Sequence, residues 1–522
     1  MSTWERRRVN AKFILIFLIA VAFLAGAVHL LHGYQIRRNA AFFLREARQA
    51  KERKDGGTAL RFYQMYLDIR ANDVEVLAEY GLLLADLGQR GPAYSVLERT
   101  LRLDPQRTEV RRKLASVAME LGRFRDAKEH LQILQKTSPE DVELLELMAR
   151  CEAGQGNYQE AASLLRRLLE QAPDRFAAYV LLADLLDRRL GQPAEAEKVL
   201  TELVERFPEA CTAWALRADY LRGKRRFEEA LLAAERAIEL DPQNVGALLV
   251  AAECAREKRQ FEKALSFVER ALEAAPKALQ AYQVKANIEV AAGKVQEAVA
   301  TIEAAQKLDP KNQELQWHLA NLLVEVGEIA RAEELLKELE QGRYSPGLLD
   351  FLRGRIAAAR DQWRLARQLL RRARGLLAPE PNHAKFVDYW LGVVEGQLGN
   401  RDEQLLAFRR AIAADPFWVP ARLGAASALA ALGQTEQAIE ESRQAFVLSG
   451  QRAEAGIQLL SLLVLRNLVA PQSQANWEEA EKLVEALQKV SPEDWRPVLL
   501  QAEILVAQKK IEEARQLLSQ AR

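Results

Sequence analysis

The chain has 522 residues and a formal net charge of +1, with 74 lysines and arginines against 73 aspartates and glutamates. Hydrophobic residues make up 49% and charged residues 28%, a composition typical of folded chains rather than disordered ones. The near-neutral charge argues against nucleic acid as a partner, because nucleic-acid binding needs a basic surface that neutralises phosphates.

The N-terminal residues predict a membrane segment. A basic tail occupies residues 1–12, and an uncharged apolar run follows from Phe13 to Leu31. This run is about long enough to cross the hydrocarbon core of a bilayer as a helix. The sequence therefore predicts a transmembrane signal-anchor helix at residues 13–32. A cleaved signal peptide, with Ala25-Gly26-Ala27 as the cleavage site, is the alternative interpretation.

The charges that flank the apolar run indicate its orientation only weakly. Basic residues both precede and follow the run, so the positive-inside rule gives no clear asymmetry. A short basic tail before an apolar segment is the usual arrangement of a signal anchor. We therefore expect a single-pass membrane protein with its large domain on the extracytoplasmic side.

A repeated pattern fills the chain from about Ala40 to Arg522. We align the repeats on the glycine or polar residue that precedes the second helix of each unit, here called the turn residue. Fourteen units follow one another, most of them 34 residues apart. The turn residues are Lys54, Gly88, Gly122, Gly156, Gly191, Arg225, Arg259, Gly293, Gly327, Asp361, Gly399, Gly433, Ala475 and Lys509.

Each unit predicts two helices separated by a turn. Apolar residues recur at helical spacing in the first helix, as Trp214 and Ala218 do. The second helix has a small residue five positions after the turn residue, and many units have another seven positions later. Small residues let neighbouring helices approach closely. A proline closes many units because it lacks the N–H that a helix interior needs. The alanines at the two places are Ala127, Ala161, Ala230, Ala264 and Ala298, then Ala237, Ala271, Ala305, Ala373, Ala411 and Ala445.

The combination of period, turn, small residues and closing proline resembles the tetratricopeptide repeat (TPR) family. The resemblance implies an all-α fold, in which about fourteen helix pairs form a right-handed superhelical solenoid over residues 40–522, preceded by the N-terminal transmembrane helix. It also implies that first helices line a concave groove for a protein or peptide partner. Gln404 departs from the pattern at the first small position. Two insertions, Glu380 to Ala384 and Ala470 to Asn476, are expected as surface loops.

Motifs for catalysis or metal binding are missing from the sequence. The chain has no phosphate-binding loop, no His-Glu-x-x-His motif and no Cys-x-x-Cys pair. We therefore expect no enzyme activity, no cofactor and no metal. Cys151, Cys211 and Cys254 are expected to be free thiols rather than disulfides.

Aromatic and amide residues are concentrated in four consecutive first helices, at positions that line the groove in the resembled family. Asparagine amides can bond a peptide backbone, aromatic rings supply contact area, and arginine can hold a carboxylate. The alternative is that these aromatic residues pack between helices and the asparagines are only solvated. The predicted partner-binding residues are Gln283, Asn287, Trp317, Asn321, Phe351, Arg355, Phe386 and Tyr389.

Two classes of function remain open at this point. The first is a membrane-anchored scaffold or adaptor that binds segments of an unknown partner in a concave TPR groove. The second is a structural spacer subunit of a cell-envelope assembly for secretion or polysaccharide export.

Overall fold

The regular secondary structure of the described residues is entirely helical, as the sequence predicts. The computed structural model describes residues 11–139, 141–471 and 475–520. In these ranges it contains twenty-eight α-helices in stacked pairs and one π-helical turn. Two compact units divide the chain: the first runs to Lys224 and includes Leu232–Pro242, and the second comprises Arg225–Leu231 and the chain from Gln243 onward.

The first unit contains eleven complete helices, and α12 contributes residues to both units. These helices are α1 Ala11–Glu52, α2 Gly56–Ile69, α3 Val74–Asp86, α4 Arg90–Leu103, α5 Thr108–Glu120, α6 Phe124–Thr137, α7 Val142–Gly154, α8 Tyr158–Gln171, α9 Phe176–Asp184, α10 Pro193–Arg206, α11 Cys211–Gly223 and α12 Phe227–Leu240.

The second unit contains the remaining sixteen helices of the described chain. They are α13 Val245–Glu257, α14 Phe261–Ala274, α15 Leu279–Ala291, α16 Val295–Leu308, α17 Gln313–Glu325, α18 Ile329–Gln341, α19 Pro346–Ala359, α20 Trp363–Leu376, α21 Pro381–Gln397, α22 Arg401–Ala414, α23 Val419–Ala431, α24 Thr435–Leu448, α25 Ala453–Val469, α26 Glu478–Val490, α27 Trp495–Ala507 and α28 Ile511–Gln520.

The turn residues take a left-handed backbone conformation. Thirteen of the fourteen have positive φ, between 58° at Asp361 and 85° at Gly327, and Ala475 is the exception. At most of these turns the following residue donates its N–H to a carbonyl five residues back, as Gln89 does to Leu84 at 2.9 Å. This bond closes the first helix as a Schellman motif. Glycine predominates at the turn because it adopts positive φ without strain.

The small residues of the second helices lie in the core. Each of the eleven alanines at the two predicted places is fully buried, at 0% exposure. Gln404, which replaces an alanine, is also buried. Gly396 leaves room for it, because a Cβ at that position would lie 2.5 Å from Gln404 Nε2. The Gln404 side chain on the second helix thus occupies the space left by the absence of a side chain at Gly396 on the first helix.

The closing prolines separate one helix pair from the next, as predicted. Each lies two residues beyond the end of a second helix, and the nine are Pro105, Pro139, Pro173, Pro208, Pro242, Pro276, Pro310, Pro416 and Pro492. The proline carbonyl can still accept a hydrogen bond from the helix that follows. Trp214 Nε1 donates to the Pro208 oxygen at 2.9 Å, and the Tyr282 hydroxyl donates to the Pro276 oxygen at 3.2 Å.

One irregular repeat is explained by a π-helical turn. The unit between Gly156 and Gly191 is one residue longer than its neighbours. Leu185–Arg189 form the π turn that follows α9, and Leu190 N donates to Leu185 O at 2.9 Å. A π turn accommodates one extra residue inside a helix.

Glu380 to Ala384 do not form the predicted surface loop. Glu380 occupies the N-cap position of α21, and Pro381 and the residues after it form the first turn of that helix. The helix has 17 residues, whereas α17 has 13. Four extra residues add about one turn, so they lengthen the helix and keep its faces in register. Beside the second insertion, the Asn467 side chain makes two hydrogen bonds with the backbone of Asn476. Its Nδ2 donates to the Asn476 oxygen at 2.8 Å, and its Oδ1 accepts from the Asn476 N–H at 3.1 Å.

The apolar run lies in α1, which continues to Glu52 as a single helix. Its C-terminal part packs in the first unit, where Ala47 and Ala50 are buried beside Ala59 and Tyr63. Over the described ranges, no helix is long and apolar enough to cross a membrane.

The described structure contains no disulfide between Cys151, Cys211 and Cys254. Cys151 and Cys254 are buried, and Cys211 is partly buried. Burial raises the pKa of the Cys151 thiol, which keeps it protonated and unreactive at neutral pH.

Candidate partner-binding site

The predicted site residues lie together in the second unit, on the first helices α15, α17, α19 and α21. Seven of the eight line one cavity of about 800 Å³, here called the aromatic cavity. The eighth, Gln283, lines a smaller pocket of about 90 Å³, here called the amide pocket. Asn287 and Asn321 line both. The regular stacking of first helices brings these residues onto one surface.

Aromatic rings from successive pairs form the wall of the aromatic cavity. The rings of Trp317 and Phe351 lie 6.3 Å apart, tilted by 34°. Further along, the Trp418 ring contacts Phe386 edge-on at 5.1 Å and Tyr389 at 5.0 Å. Ring pairs at such distances attract one another beyond simple area burial. The wall is therefore held together by its own ring contacts.

Trp317 is a fixed part of this wall. Its Nε1 donates to the Leu348 oxygen at 3.4 Å, and the imidazoles of His318 and His383 meet its ring edge-on at 5.2 and 6.3 Å. The indole also packs against the core clusters on both sides. Trp317 is half-buried, so it both faces the cavity and stabilises the helix contact behind it.

Arg355 forms part of the floor of the cavity. Its Nη1 donates to Asn321 Oδ1 at 2.8 Å, and its guanidinium lies 4.8 Å from the centre of the Trp390 ring. The side chain is only 8% exposed. Burial lowers the pKa of Arg355, and the nearest carboxylate, Glu325, lies 4.0 Å away. Such a cation is incompletely neutralised.

The two asparagines have different environments. Asn321 is half-buried, and its amide donates to the Trp317 oxygen at 2.8 Å while accepting from Arg355. Asn287 is exposed at the junction of the cavity and the amide pocket. Asn321 therefore orders the wall, and Asn287 is the amide that faces solvent.

The exposed part of the predicted set is smaller than the sequence suggested. Phe386 is 43% exposed, whereas Phe351 is only 5% exposed and Arg355 is buried. Gln283 and Tyr389 are half-buried. Phe351 and Arg355 thus form the floor rather than an open contact surface, because the lengthened α21 packs beside them.

Several cavity residues are absent from the sequence-based set. Asn382 and His383 belong to the extra turn of α21, and Trp418 caps α23. In the sequence, these two polar residues could have been found from the insertion, because it lies next to the predicted pair Phe386 and Tyr389. The other missed lining residues include His318, Glu325, Trp363 and Trp390.

Buried carboxylates hold α19 and α21 in place. Asp388 accepts from Arg374 Nε at 2.8 Å and from Arg410 Nε at 2.7 Å. Asp350 is held by Arg372 in the same way. Both carboxylates are nearly inaccessible to water, so losing both partner arginines would leave a buried charge unpaired. These ion pairs fix the helices that carry the cavity wall.

Comparison with known families identifies the repeats. Tetratricopeptide repeat models match residues 112–176, 152–220, 212–244 and 472–522. A model of the N-terminal acetyltransferase A auxiliary subunit matches residues 246–339. The chain thus contains tetratricopeptide repeats over these residues, in agreement with the stacked helix pairs of the fold. The matched families are typically non-catalytic.

Solved structures of repeat proteins resemble the chain at low identity. Yeast Tom70 is 15% identical, and the match covers 84% of this chain and 98% of that chain with a TM-score of 0.40. A tetratricopeptide repeat protein from Parabacteroides merdae is 19% identical, with 48% and 98% coverage and a TM-score of 0.41. The APC/C hetero-tetramer Cut9-Hcn1 gives 15% identity, 92% and 98% coverage and a TM-score of 0.38. No curated protein matches the chain.

Proposed function

We propose that the chain is a scaffold that binds an extended segment of a partner protein across the aromatic cavity and the amide pocket. The observation that carries this proposal is the single surface formed by aromatic and amide side chains from four consecutive first helices. The cavity volume of about 800 Å³ lies within the range of typical ligand sites. Aromatic rings supply rigid contact area at low entropic cost.

The amide pocket extends this surface for a peptide backbone. Asn287 is exposed and Gln283 is half-buried beside it. Each amide side chain offers both a donor and an acceptor, which matches the alternating groups of an extended chain. A segment with an apolar side chain in the aromatic cavity would therefore place its backbone along these amides.

The test is quantitative recovery of partners by the full-length chain and by a double variant, Phe386→Ala with Asn287→Ala. Both side chains are exposed, so we expect the fold to remain intact. We expect recovery of the specific partner to fall about tenfold or more, since interface anchors contribute ~2 kcal/mol or more.

The matched control is Leu365→Ala with Gln368→Ala. This pair also combines an exposed apolar residue with an exposed amide, on the second helix α20. It should leave recovery unchanged. A partner that binds the cavity variant normally, or that is lost equally with the control pair, contradicts the proposed site.

We also propose that residues 13–32 anchor the scaffold in a membrane as a single pass, with the repeats on the extracytoplasmic side. The run from Phe13 to Leu31 has no charged side chain. The large apolar side chains of Phe17, Phe23 and Leu24 are exposed on α1, as lipid-facing side chains would be.

Carbonate washing of membranes tests the anchor. The full-length chain should stay in the membrane fraction at its full mass, and a variant that begins near Arg37 should be released. Release of the full-length chain, or a chain shortened at Ala27, contradicts the anchor. Protease added outside intact cells tests the sidedness: digestion of the repeats supports an extracytoplasmic position, and protection contradicts it.

A further inference from the structure

Two buried arginine nitrogens lie in adjacent cavities of the second unit without a hydrogen-bond partner. Four such buried side-chain atoms occur in the described part of the chain, and two of them are Nε of Arg355 and Nε of Arg452. Arg355 lines the aromatic cavity, and Arg452 lines a second cavity of about 590 Å³, here called the arginine cavity. Tyr389 and Val393 line both cavities. The two nitrogens therefore belong to neighbouring parts of one surface.

The edge of Arg355 that lacks a hydrogen-bond partner is the one that a carboxylate binds side-on. Nη1 is occupied by Asn321, whereas Nε has no partner and Nη2 lies 4.0 Å from Glu325 Oε2. A carboxylate can accept from Nε and Nη2 together through two parallel hydrogen bonds. Glu325 is beyond hydrogen-bond distance, and its side chain is 48% exposed. The arginine thus has a nearby counter-charge but no bonded one.

The arginine cavity is a positively charged site with amide walls. Arg401 Nη1 donates to Gly396 O at 3.1 Å and to Gln404 Oε1 at 3.0 Å. Among the described residues, neither Arg401 nor Arg452 has a carboxylate within ion-pair distance, whereas Arg48, Arg353 and Arg410 each do. Glu454, the one acidic residue of the lining, is exposed.

The positive charge of Arg452 also acts on a third arginine, Arg259. The pKa of Arg259 is lowered, chiefly by burial and then by the positive charge of Arg452. Arg259 itself is not part of the cavity lining.

We propose that the two cavities together bind an acidic segment of the partner. Its side-chain carboxylates contact Arg355 and Arg452, and an apolar side chain between them lies against the aromatic rings near Tyr389. This inference rests on the proposed function, and the charge complementarity of the linings selects an acidic occupant. Two separate arginines require two carboxylates, whereas the C terminus of a chain supplies only one.

The experiment uses full-length protein in detergent and a panel of acetylated, amidated peptides. Each peptide has a central tryptophan with glutamates on both sides at varied spacing, and each has a counterpart with glutamine in place of glutamate. Calorimetry should show that the best glutamate peptide binds at least tenfold more tightly than its glutamine counterpart. Arg452→Gln should remove most of this difference.

A second variant separates recognition from damage to the fold. Glu325→Gln removes the carboxylate that competes for Arg355, so it should tighten binding of the glutamate peptide and leave the glutamine peptide unchanged. A merely structural role for Arg355 and Glu325 predicts no such gain. Equal affinity of glutamate and glutamine peptides for the wild-type chain would overturn the inference.

Failure of the inference and failure of the proposed function give different results. If no peptide shows a preference for glutamate, but capture of the natural partner still needs Phe386 and Asn287, only the inference is wrong. If capture needs neither residue, the proposed function is wrong as well. Tighter binding of peptides with a free C terminus than of amidated ones would overturn the assignment to side-chain carboxylates.

Discussion

Backbone conformation decides which residue is tolerated at the turn inside each helix pair. Gly327 has φ of 85°, and a Cβ added there would meet no atom within 4 Å. A side chain at this position would therefore add strain without a clash. Asp361 occupies the same place in the next pair with φ of 58°, so the native chain already contains this backbone strain at Asp361.

Exchanging glycine at these two turns should change stability in opposite directions. We expect Gly327→Ala to destabilise its helix pair by about 1 kcal/mol, and Asp361→Gly to stabilise its own by a similar amount. Amide hydrogen exchange in α17–α20 measures both effects. Gly375→Ala, a substitution inside α20 with open space around it, is the control and should be neutral or slightly stabilising. A cost at Gly327 no larger than at Gly375 would refute the conformational explanation.

His318 should make the stability of the cavity depend on pH. Burial and the positive charge of His383 lower the pKa of His318, although Glu314 opposes them. The folded chain then binds the proton less readily than the unfolded chain does. The contribution of neutral His318 to the free energy of unfolding is therefore fully present above the unfolded pKa of about 6.5. It is lost as pH falls through the folded pKa.

Thermal denaturation at about pH 7 and about pH 5 tests this pH effect. The wild-type chain should lose more stability on acidification than His318→Gln does, because glutamine has no titrating group. An identical loss in both proteins would show that His318 does not contribute.

At the scale of the helix, the π turn after α9 results from one extra residue. Arg188 is exposed there, with an ion pair to Asp184 at 3.2 Å. Deleting Arg188 restores the 34-residue spacing, so α9 should continue as a regular helix with unchanged or higher stability. Deleting the exposed Arg150 from the regular helix α7 is the control.

The control deletion should be harmful. Removing Arg150 rotates the residues after it by about 100° around the helix axis, which takes the buried Cys151 out of the core. We expect a loss of ~2 kcal/mol or more, measured by chemical denaturation. Equal effects of the two deletions would contradict the assignment of the extra residue to the π turn.

Overpacking one helix contact should produce local damage. Ala264 in α14 has 0% exposure, and Ala264→Trp should cost ~1–3 kcal/mol or more. Because repeat units contact mainly their neighbours, amide exchange should rise most in α13–α16. Glu269→Trp, on the exposed face of the same helix, should change little. A uniform loss of protection along the chain would contradict a linear array of units.

The sequence predicts those elements whose requirements are local. Positive φ at Gly88, close packing at Ala264 and helix termination before Pro276 are each set by one residue and its neighbours. The extra turn of α21 was not predictable in this way, since proline is favoured both at the first helical position and in turns. The loop prediction failed for that reason.

At the scale of the whole molecule, the repeat count and the all-α class follow from fourteen recurrences of one pattern. The site is less accessible to sequence reasoning. Alignment placed eight residues on one surface, but the burial of Phe351 and Arg355 depends on how α21 packs against α19. The internal role of the Asn321 amide likewise depends on its neighbours Trp317 and Arg355.

Site-specific photo-crosslinking measures the central claim most directly. A photoreactive phenylalanine analogue replaces Phe386 in the cavity wall or Leu365 on α20, two apolar positions that are both exposed, at 43% and 45%. If the aromatic cavity binds the partner segment, Phe386 gives one dominant crosslinked partner and Leu365 does not. Equal crosslinking from both positions, or crosslinking from Leu365 alone, would contradict the account.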